Sequence, residues 1–201
     1  MAELIFATNN AHKLEEVIKI CPSGIKIISL NDVGVVDDIP ETGSTLSDNA
    51  SQKAWFIYDK FGKNCFADDT GLEIEALNGA PGVYSARYAG EMRDSKMNMN
   101  LVLEQMKHID ARSARFRTVI SLILNGREYQ FEGIVNGTIA LEPSGNKGFG
   151  YDPIFVPEGF DQTFAQLEMD IKNRISHRGR AVEALVEFLK SIVQVESSEN
   201  V

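Results

Sequence analysis

The dipeptide Asn125-Gly126, set between the long runs Arg115 to Leu124 and Glu128 to Leu141, constrains this chain more than any other feature. Both residues tolerate the positive φ that a tight hairpin turn demands, so the two runs are expected to pair as antiparallel strands. The start of the chain has a different rhythm. Leu4 to Ala7 is a short apolar run, Thr8-Asn9-Asn10 is polar, and from Ala11 onward Leu14, Val17 and Ile18 recur at helical spacing. Strand, polar turn and helix in succession are typical of α/β proteins.

The remaining chain extends that reading. Ile25 to Leu30 is a second strand candidate, and Glu41 to Thr45 is a polar turn in which Ser44 or Thr45 can cap a helix. That helix is expected to run to about Phe61, with Leu46, Ala50, Ala54, Ile57 and Phe61 on one stripe. Cys65 to Ala67 reads as a buried strand delivering Asp68-Asp69-Thr70-Gly71, after which Leu72, Ile74 and Ala76 alternate as a half-buried strand. Asn78 to Gly90 is expected to be a long loop, and Asp94 to Ile109 a helix packed through Met97, Leu101 and Met106. A glycine-rich loop spans Glu142 to Pro153, Thr163-x-x-Gln166 has the form of a capping box, and Ser176 is placed to cap a last helix. Ala181, Leu185, Phe188 and Leu189 form that helix's inner face. With no repeat or linker in view, residues 1–195 read as one α/β domain and 196–201 as a frayed tail.

Composition narrows the partners. Twenty-nine acidic against 20 basic side chains give a formal net charge of -9, a surface that repels nucleic acid and anionic membrane. A small anion held locally by a few convergent lysines is still compatible with it. Cys21 and Cys65 have no C-x-x-C spacing, which leaves two reduced thiols rather than a zinc or redox motif. Met1-Ala2-Glu3 lacks the basic and apolar regions of a signal peptide, and no apolar run approaches the roughly 18 residues of a membrane span. A cytoplasmic protein is the expectation.

Three segments carry chemistry. Thr8-Asn9-Asn10 with Lys13 sits at a strand-to-helix turn, where backbone N–H groups and the helix dipole favour phosphate. An ordinary N-cap with a solvated lysine explains the same residues. Asp68-Asp69-Thr70-Gly71 sets two carboxylates side by side at the end of a strand. Their repulsion is relieved by a divalent cation, and one of them can deprotonate water. Glu41, in the Glu-Thr-Gly turn, can complete an oxygen-rich metal site. Finally, Gly148-Phe149-Gly150-Tyr151-Asp152 combines glycines with aromatics able to stack on a base, while His177 and Arg178 begin a helix, with Lys172 just upstream. Cations at a helix start are unfavourable unless an anionic or polar ligand compensates them.

Rival motifs fall away. Asp69-Thr70-Gly71 spells the aspartic-protease triplet, but that site needs two triplets on all-β lobes. There is no G-x-x-x-x-G-K-[ST] and no G-x-G-x-x-G leading from strand to helix. Three scattered histidines do not make a zinc centre.

Taken in order, Thr8-Asn9-Asn10-x-x-Lys13, Glu41-Thr42-Gly43, Phe66-Ala67-Asp68-Asp69-Thr70-Gly71-Leu72, Ser85-Ala86-Arg87-Tyr88-Ala89-Gly90, Gly148 to Phe155 and Lys172-Asn173-Arg174-x-Ser176-His177-Arg178-Gly179 resemble the inosine triphosphate pyrophosphatase family. The resemblance implies an elongated α/β fold with a mixed sheet, two lobes around a deep nucleotide-binding cleft, a homodimer, and dependence on Mg²⁺. It also implies hydrolysis of nonstandard purine nucleoside triphosphates (ITP, dITP, XTP) to monophosphate and pyrophosphate. Carried over residue by residue, Asp69 matches the general base and a metal ligand, with Glu41 and Asp68 as further metal contacts. Thr8, Asn9, Asn10, Ala11, His12 and Lys13, with Lys53 and Thr70, match the polyphosphate-binding groups. Phe149, Gly150, Tyr151, Asp152, Lys172, His177 and Arg178 match those holding base and sugar. Met169-Asp170-Ile171 departs from the family's usual acidic lead-in. A pyrophosphatase of different base preference, or a nucleotide sensor without turnover, are the alternative readings.

Overall fold

The computed structural model describes residues 2–35 and 39–198. Its elements run β1 (Ala2–Phe6), α1 (Ala11–Ile20), β2 (Ile25–Ile28), α2 (Leu46–Phe61), β3 (Cys65–Ile74), α3 (Ser95–Gln105), β4 (Ser113–Leu124), β5 (Arg127–Ile139), β6 (Phe155–Pro157), α4 (Met169–Ile175) and α5 (His177–Ser198). The strands form one sheet in the order β2-β1-β3-β4-β5-β6. β1 lies parallel to β2 and β3, and the remaining neighbours are antiparallel. The helical crossovers α1 and α2 account for the parallel half, and the hairpin for the other. At the hairpin tip Asn125 has φ 51° and Gly126 φ 77°, as a primed turn requires, and Leu124 pairs with Arg127.

The sheet is covered unequally. α1 and α5 pack on one face, over Leu4, Phe6, Phe66, Ile120 and Leu122. α2 packs on the other, where Ala54 and Ile57 meet Ile5, Cys65, Ala67 and Ile123. A separate core lies at the far end, built from Leu72, Ile74, Phe116, Ile154, Phe155 and Phe164. The protein is therefore a mixed α/β fold of two lobes on one sheet. Two glycines permit the close contacts. A Cβ on Gly133 would fall 1.9 Å from the His177 carbonyl oxygen, so glycine alone lets α5 lie directly on β5. A Cβ on Gly71 would fall 2.6 Å from the Gly82 carbonyl oxygen, where the 3-10 segment Gly82–Arg87 docks on β3.

α2 starts as expected, and Thr45 rather than Ser44 is the cap. Its hydroxyl accepts from the Asp48 N–H at 3.0 Å while the Asp48 carboxylate accepts from the Thr45 N–H at 3.1 Å. Ser176 caps α5 through the Gly179 N–H at 3.0 Å.

Other expectations are corrected. Asp68 to Gly71 is not the end of one strand before another but the middle of the single strand β3, paired residue for residue with Arg117 to Ile120 of β4. α3 turns a different face inward. Met97 is 54% exposed, whereas Asn98, Val102 and Met106 are buried, because the Asn98 amide holds the Ala89 N–H and the Ala86 carbonyl. The loop expected over Asn78 to Gly90 contains the 3-10 segment just named. Thr163 and Gln166 do hydrogen-bond (2.9 Å), yet they close a turn rather than cap a helix, and α4 begins only at Met169. Residues 199–201 of the expected tail lie outside the described residues, and α5 continues through Ser198.

Candidate active site

A cavity of about 450 Å³ opens between the lobes, a size suited to a small ligand. Its walls come from the turn after β1, the Glu41 turn, α2, the middle of β3, the glycine-rich loop and the α4–α5 junction. Of the residues singled out from sequence, Thr8, Asn9, Asn10, Lys13, Glu41, Lys53, Asp69, Thr70, Phe149, Gly150, Tyr151, Asp152, Lys172, His177 and Arg178 line it. Ala11, His12 and Asp68 do not.

The first turn is pre-shaped by its own side chains. Asn10 caps α1 by accepting from the His12 and Lys13 N–H groups at 3.0 and 3.1 Å, and its own N–H donates to the Thr8 hydroxyl. Two of the backbone donors expected to face phosphate are thus occupied by the cap. Lys13 does reach into the site, but its ammonium is held by Asp68 at 3.0 Å.

Asp68 and Asp69 are neighbours in an extended strand, so their side chains leave opposite faces. Asp69 points toward α2, accepting from the Asn49 amide at 3.0 Å, with the Lys53 ammonium at 3.7 Å. Lys53 also holds Glu41 in a direct ion pair, and Arg87 stands 3.8 Å from the same carboxylate. Burial raises the Asp69 pKa and Glu41 adds to that, outweighing Lys53 and Lys13. Glu41 is shifted the other way, because Lys53 overcomes its burial. The result is a buried carboxylate with raised proton affinity at the cavity wall, the property of a general base.

Asp68 points toward α1 and α5. Burial alone would raise its pKa, but Lys13 and Arg178 reverse the effect and hold the carboxyl well below the ordinary range. Arg178 is nearly inaccessible, at 2% exposure, and each guanidinium nitrogen has a partner: Nε to Asp68 at 3.2 Å, Nη1 to Glu16, and Nη2 to the Thr70 hydroxyl at 3.1 Å. Glu16 also binds the Lys172 ammonium at 2.7 Å, and Lys172 bonds Asp152 at 2.7 Å. Sequence reasoning missed Glu16, although its place beside Val17 on the inward stripe of α1 is a usable signal. It missed Asn49 for the same reason, one residue before Ala50 on the stripe of α2. Phe116 was absent as well.

At the other end, Phe149 lies between Gly148 and Gly150, both in the left-handed region, with its N–H on the Asp152 carboxylate at 2.7 Å. Lys172 and Arg178 stand 5.1 and 5.7 Å from its ring centre. Tyr151 differs from the expected stacking role: its ring is core and its hydroxyl is tied to the Ser85 carbonyl at 2.9 Å. His177 stacks on Phe116 with ring centres 4.5 Å apart. Burial, with Arg178 and Lys172 nearby, pushes its pKa well down, so the imidazole is neutral. Its Nδ1 is buried with no hydrogen-bond partner among the described residues, a group that a ligand in the cavity can satisfy.

Comparison with known proteins bears on the chain as a whole. The model of the Ham1 family matches residues 4–188. The dITP/XTP pyrophosphatase of Flavobacterium johnsoniae is 51% identical over 187 residues, covering 93% of this chain and 97% of that protein. The dITP/XTP pyrophosphatase of Bacillus subtilis is 45% identical, covering 95% and 98%. Among solved structures, a HAM1 protein from Coxiella burnetii superposes with a TM-score of 0.87 at 42% identity, covering 95% of this chain and all of that one. The Staphylococcus aureus Ham1 protein gives 0.86 at 39%, covering 94% and 98%. With a family model spanning most of its length and half its residues shared with such relatives, this chain belongs to the Ham1 family.

Proposed function

We propose that this protein hydrolyses the nonstandard purine nucleoside triphosphates dITP, ITP and XTP to the monophosphate and pyrophosphate, clearing them from the nucleotide pool. The observation that carries the reading is Asp69: a buried carboxylate of raised proton affinity, steadied by Asn49, in a cleft whose far end holds an aromatic ring and neutral His177. The names of the relatives support the substrate class.

The donor set fits Mg²⁺. Glu41 and Asp69 converge on the Lys53 ammonium, so both oxygens reach a common space, and Mg²⁺ is commonly held by one or two carboxylates plus substrate phosphates. Among the described residues no three of His, Cys, Asp and Glu converge, and Asp68 is engaged on the other face of β3. We therefore assign metal holding to Glu41 and Asp69, and assign Asp68 to fixing Lys13 and Arg178. When bound, the cation supplies neutralisation of phosphate charge. The rest falls to the chain. Asp69 orients water and takes its proton on a carboxylate oxygen as the α-phosphorus is attacked. Lys13, Lys53 and the Thr70 hydroxyl balance charge on the departing pyrophosphate. Phe149 stacks the base.

Base choice follows from hydrogen-bond supply. The Lys172 ammonium has three hydrogens, and Asp152 and Glu16 take two, which leaves one for a 6-keto oxygen. The 6-amino group of adenine would face that donor unpaired, a strong source of discrimination. Guanine keeps the keto group, so its rejection must come from the 2-position, where it carries an amino group.

No described helix is long and apolar enough to cross a membrane. A homodimer, as the family resemblance implies, and a cytoplasmic location complete the proposal, and sedimentation checks the dimer. The activity is tested by pyrophosphate release from dITP, ITP, XTP, ATP and GTP, with Mg²⁺ and with EDTA. Fast release from the first three, slow release from ATP and GTP, and abolition by EDTA are expected. Equal turnover of ATP would sink the base assignment. Absence of pyrophosphate from every substrate would overturn the reaction itself.

A further inference from the structure

His12 was grouped by resemblance with the polyphosphate-binding turn, yet its side chain does something else. Its backbone N–H is committed to the Asn10 cap. Its imidazole lies flat against Phe149, with ring centres 5.1 Å apart and planes 11° from parallel. Phe149 lines the cavity and His12 does not, so His12 meets the ring from outside the cavity. Lys172 and Arg178 approach the same ring from within the site.

Phe149 needs such support. It sits between two glycines of positive φ in a loop, only half-buried, and no other aromatic ring among the described residues contacts it. The Asp152 carboxylate fixes its backbone N–H, but a backbone bond does not set the side-chain torsions. A flat partner on one face does, and stacked aromatic pairs contribute beyond the area they bury. Because His12 is in the first turn of α1, held by Asn10, the contact also ties the phosphate end of the cleft to the base end.

We infer that His12 is a positioning residue for base recognition, holding Phe149 at the angle a purine stacks on, rather than a phosphate ligand. The inference rests on the proposed reading of Phe149 as the base platform. It predicts that His12→Ala raises KM for dITP and XTP about three- to tenfold, the range one aromatic pair contributes, with most of the loss in KM rather than kcat. His12→Phe restores KM, because a flat ring suffices, whereas His12→Leu does not.

The deciding experiment adds two equilibrium measurements to the kinetics: IMP binding by calorimetry and inhibition by inorganic pyrophosphate. His12→Ala should weaken IMP binding by the same factor as KM and leave the pyrophosphate inhibition constant within about twofold. A weakened pyrophosphate constant with unchanged IMP binding would return His12 to the phosphate end and overturn the inference. Failure of His12→Phe to rescue would overturn it too. If the wild type binds and turns over dITP but His12→Ala matches it, only the role of His12 falls. If the wild type binds no IMP and cleaves no purine triphosphate, the functional reading falls with it.

Discussion

The two faces of β3 make the most informative comparison in the molecule. Asp68 and Asp69 are adjacent, identical and both buried, yet one is driven down in pKa and the other up. The Asp68 face is a dense ion network, in which Lys13, Arg178, Glu16, Lys172 and Asp152 link α1, α4, α5 and the glycine-rich loop. The Asp69 face is thinner, with bonds from the Asn49 amide and the Thr70 N–H and a lysine shared with Glu41, and it opens on the cleft. Burial is common to both, so the number and closeness of cations decides the sign of the shift. A carboxylate held charged by its partners builds the wall. The one whose proton affinity is raised is the one we propose for the chemistry.

Breaking the comparison from the open side should have the largest effect. Asp69→Asn keeps the shape and removes the proton acceptor, so kcat should fall about 10²–10⁴-fold with the thermal melting curve preserved. A variant within tenfold of wild type would show that the base lies elsewhere.

The Asp68 side should answer in stability instead. Asp68→Asn leaves Arg178 and Lys13 without their carboxylate, and removing one partner of a buried pair costs about 3–5 kcal/mol. A fall in Tm on the order of 10 °C is expected for a chain of this size. The pH dependence sharpens the test. Because the native Asp68 pKa is depressed, the unfolded chain binds more protons between that value and the unfolded value of about 3.9. The stabilisation is therefore present above the unfolded pKa and lost as pH falls through the native one. Denaturant titrations below about pH 4 should show a flatter acid limb for Asp68→Asn than for wild type.

Lys53 joins Asp69 to Glu41. Lys53 lowers the Asp69 pKa against burial, so Lys53→Met should move the acid limb of kcat/KM to higher pH. A limb displaced to lower pH, or unmoved, would contradict the electrostatic account. The smallest effect is expected from the start of α2, the helix that carries Asn49 and Lys53. Thr45→Ala removes the capping hydroxyl for about 1 kcal/mol, a loss of roughly 2–4 °C in Tm. Activity at 25 °C should change little, since the cap touches no site group.

Much of the fold could be read from local pattern. The hairpin at Asn125-Gly126, the strand-turn-helix at the start, the stripe of α2 and the cap at Ser176 all depend on torsion preferences and periodicity within a few residues. Where the reading failed, a distant partner had overridden local preference. Asp68-Asp69-Thr70-Gly71 looks like the end of a strand by composition, but β4 pairs every residue of it. Met97 looks inward-facing by hydrophobicity, but Asn98 holds the backbone of residues 86 and 89 and takes that position. Gln166 finds Thr163 in a turn, and the helix begins only at Met169.

The candidate site divides along the same line. The sequence by itself determined which chemical groups are available and near which element ends they lie: Lys13 after the first turn, the paired aspartates, the aromatic loop, Lys172, His177 and Arg178. Those signals are local in composition and spacing. Only the tertiary structure decided that the aspartates diverge, that Arg178 is spent on Asp68, Glu16 and Thr70, that Tyr151 belongs to the core, and that His12 lies on Phe149. The physical reason is that a side chain's charge state and partners depend on what faces it in space. For β3 those partners come from α1, α2 and α5, and their proximity to it arises from the packing of helices on both sides of one sheet.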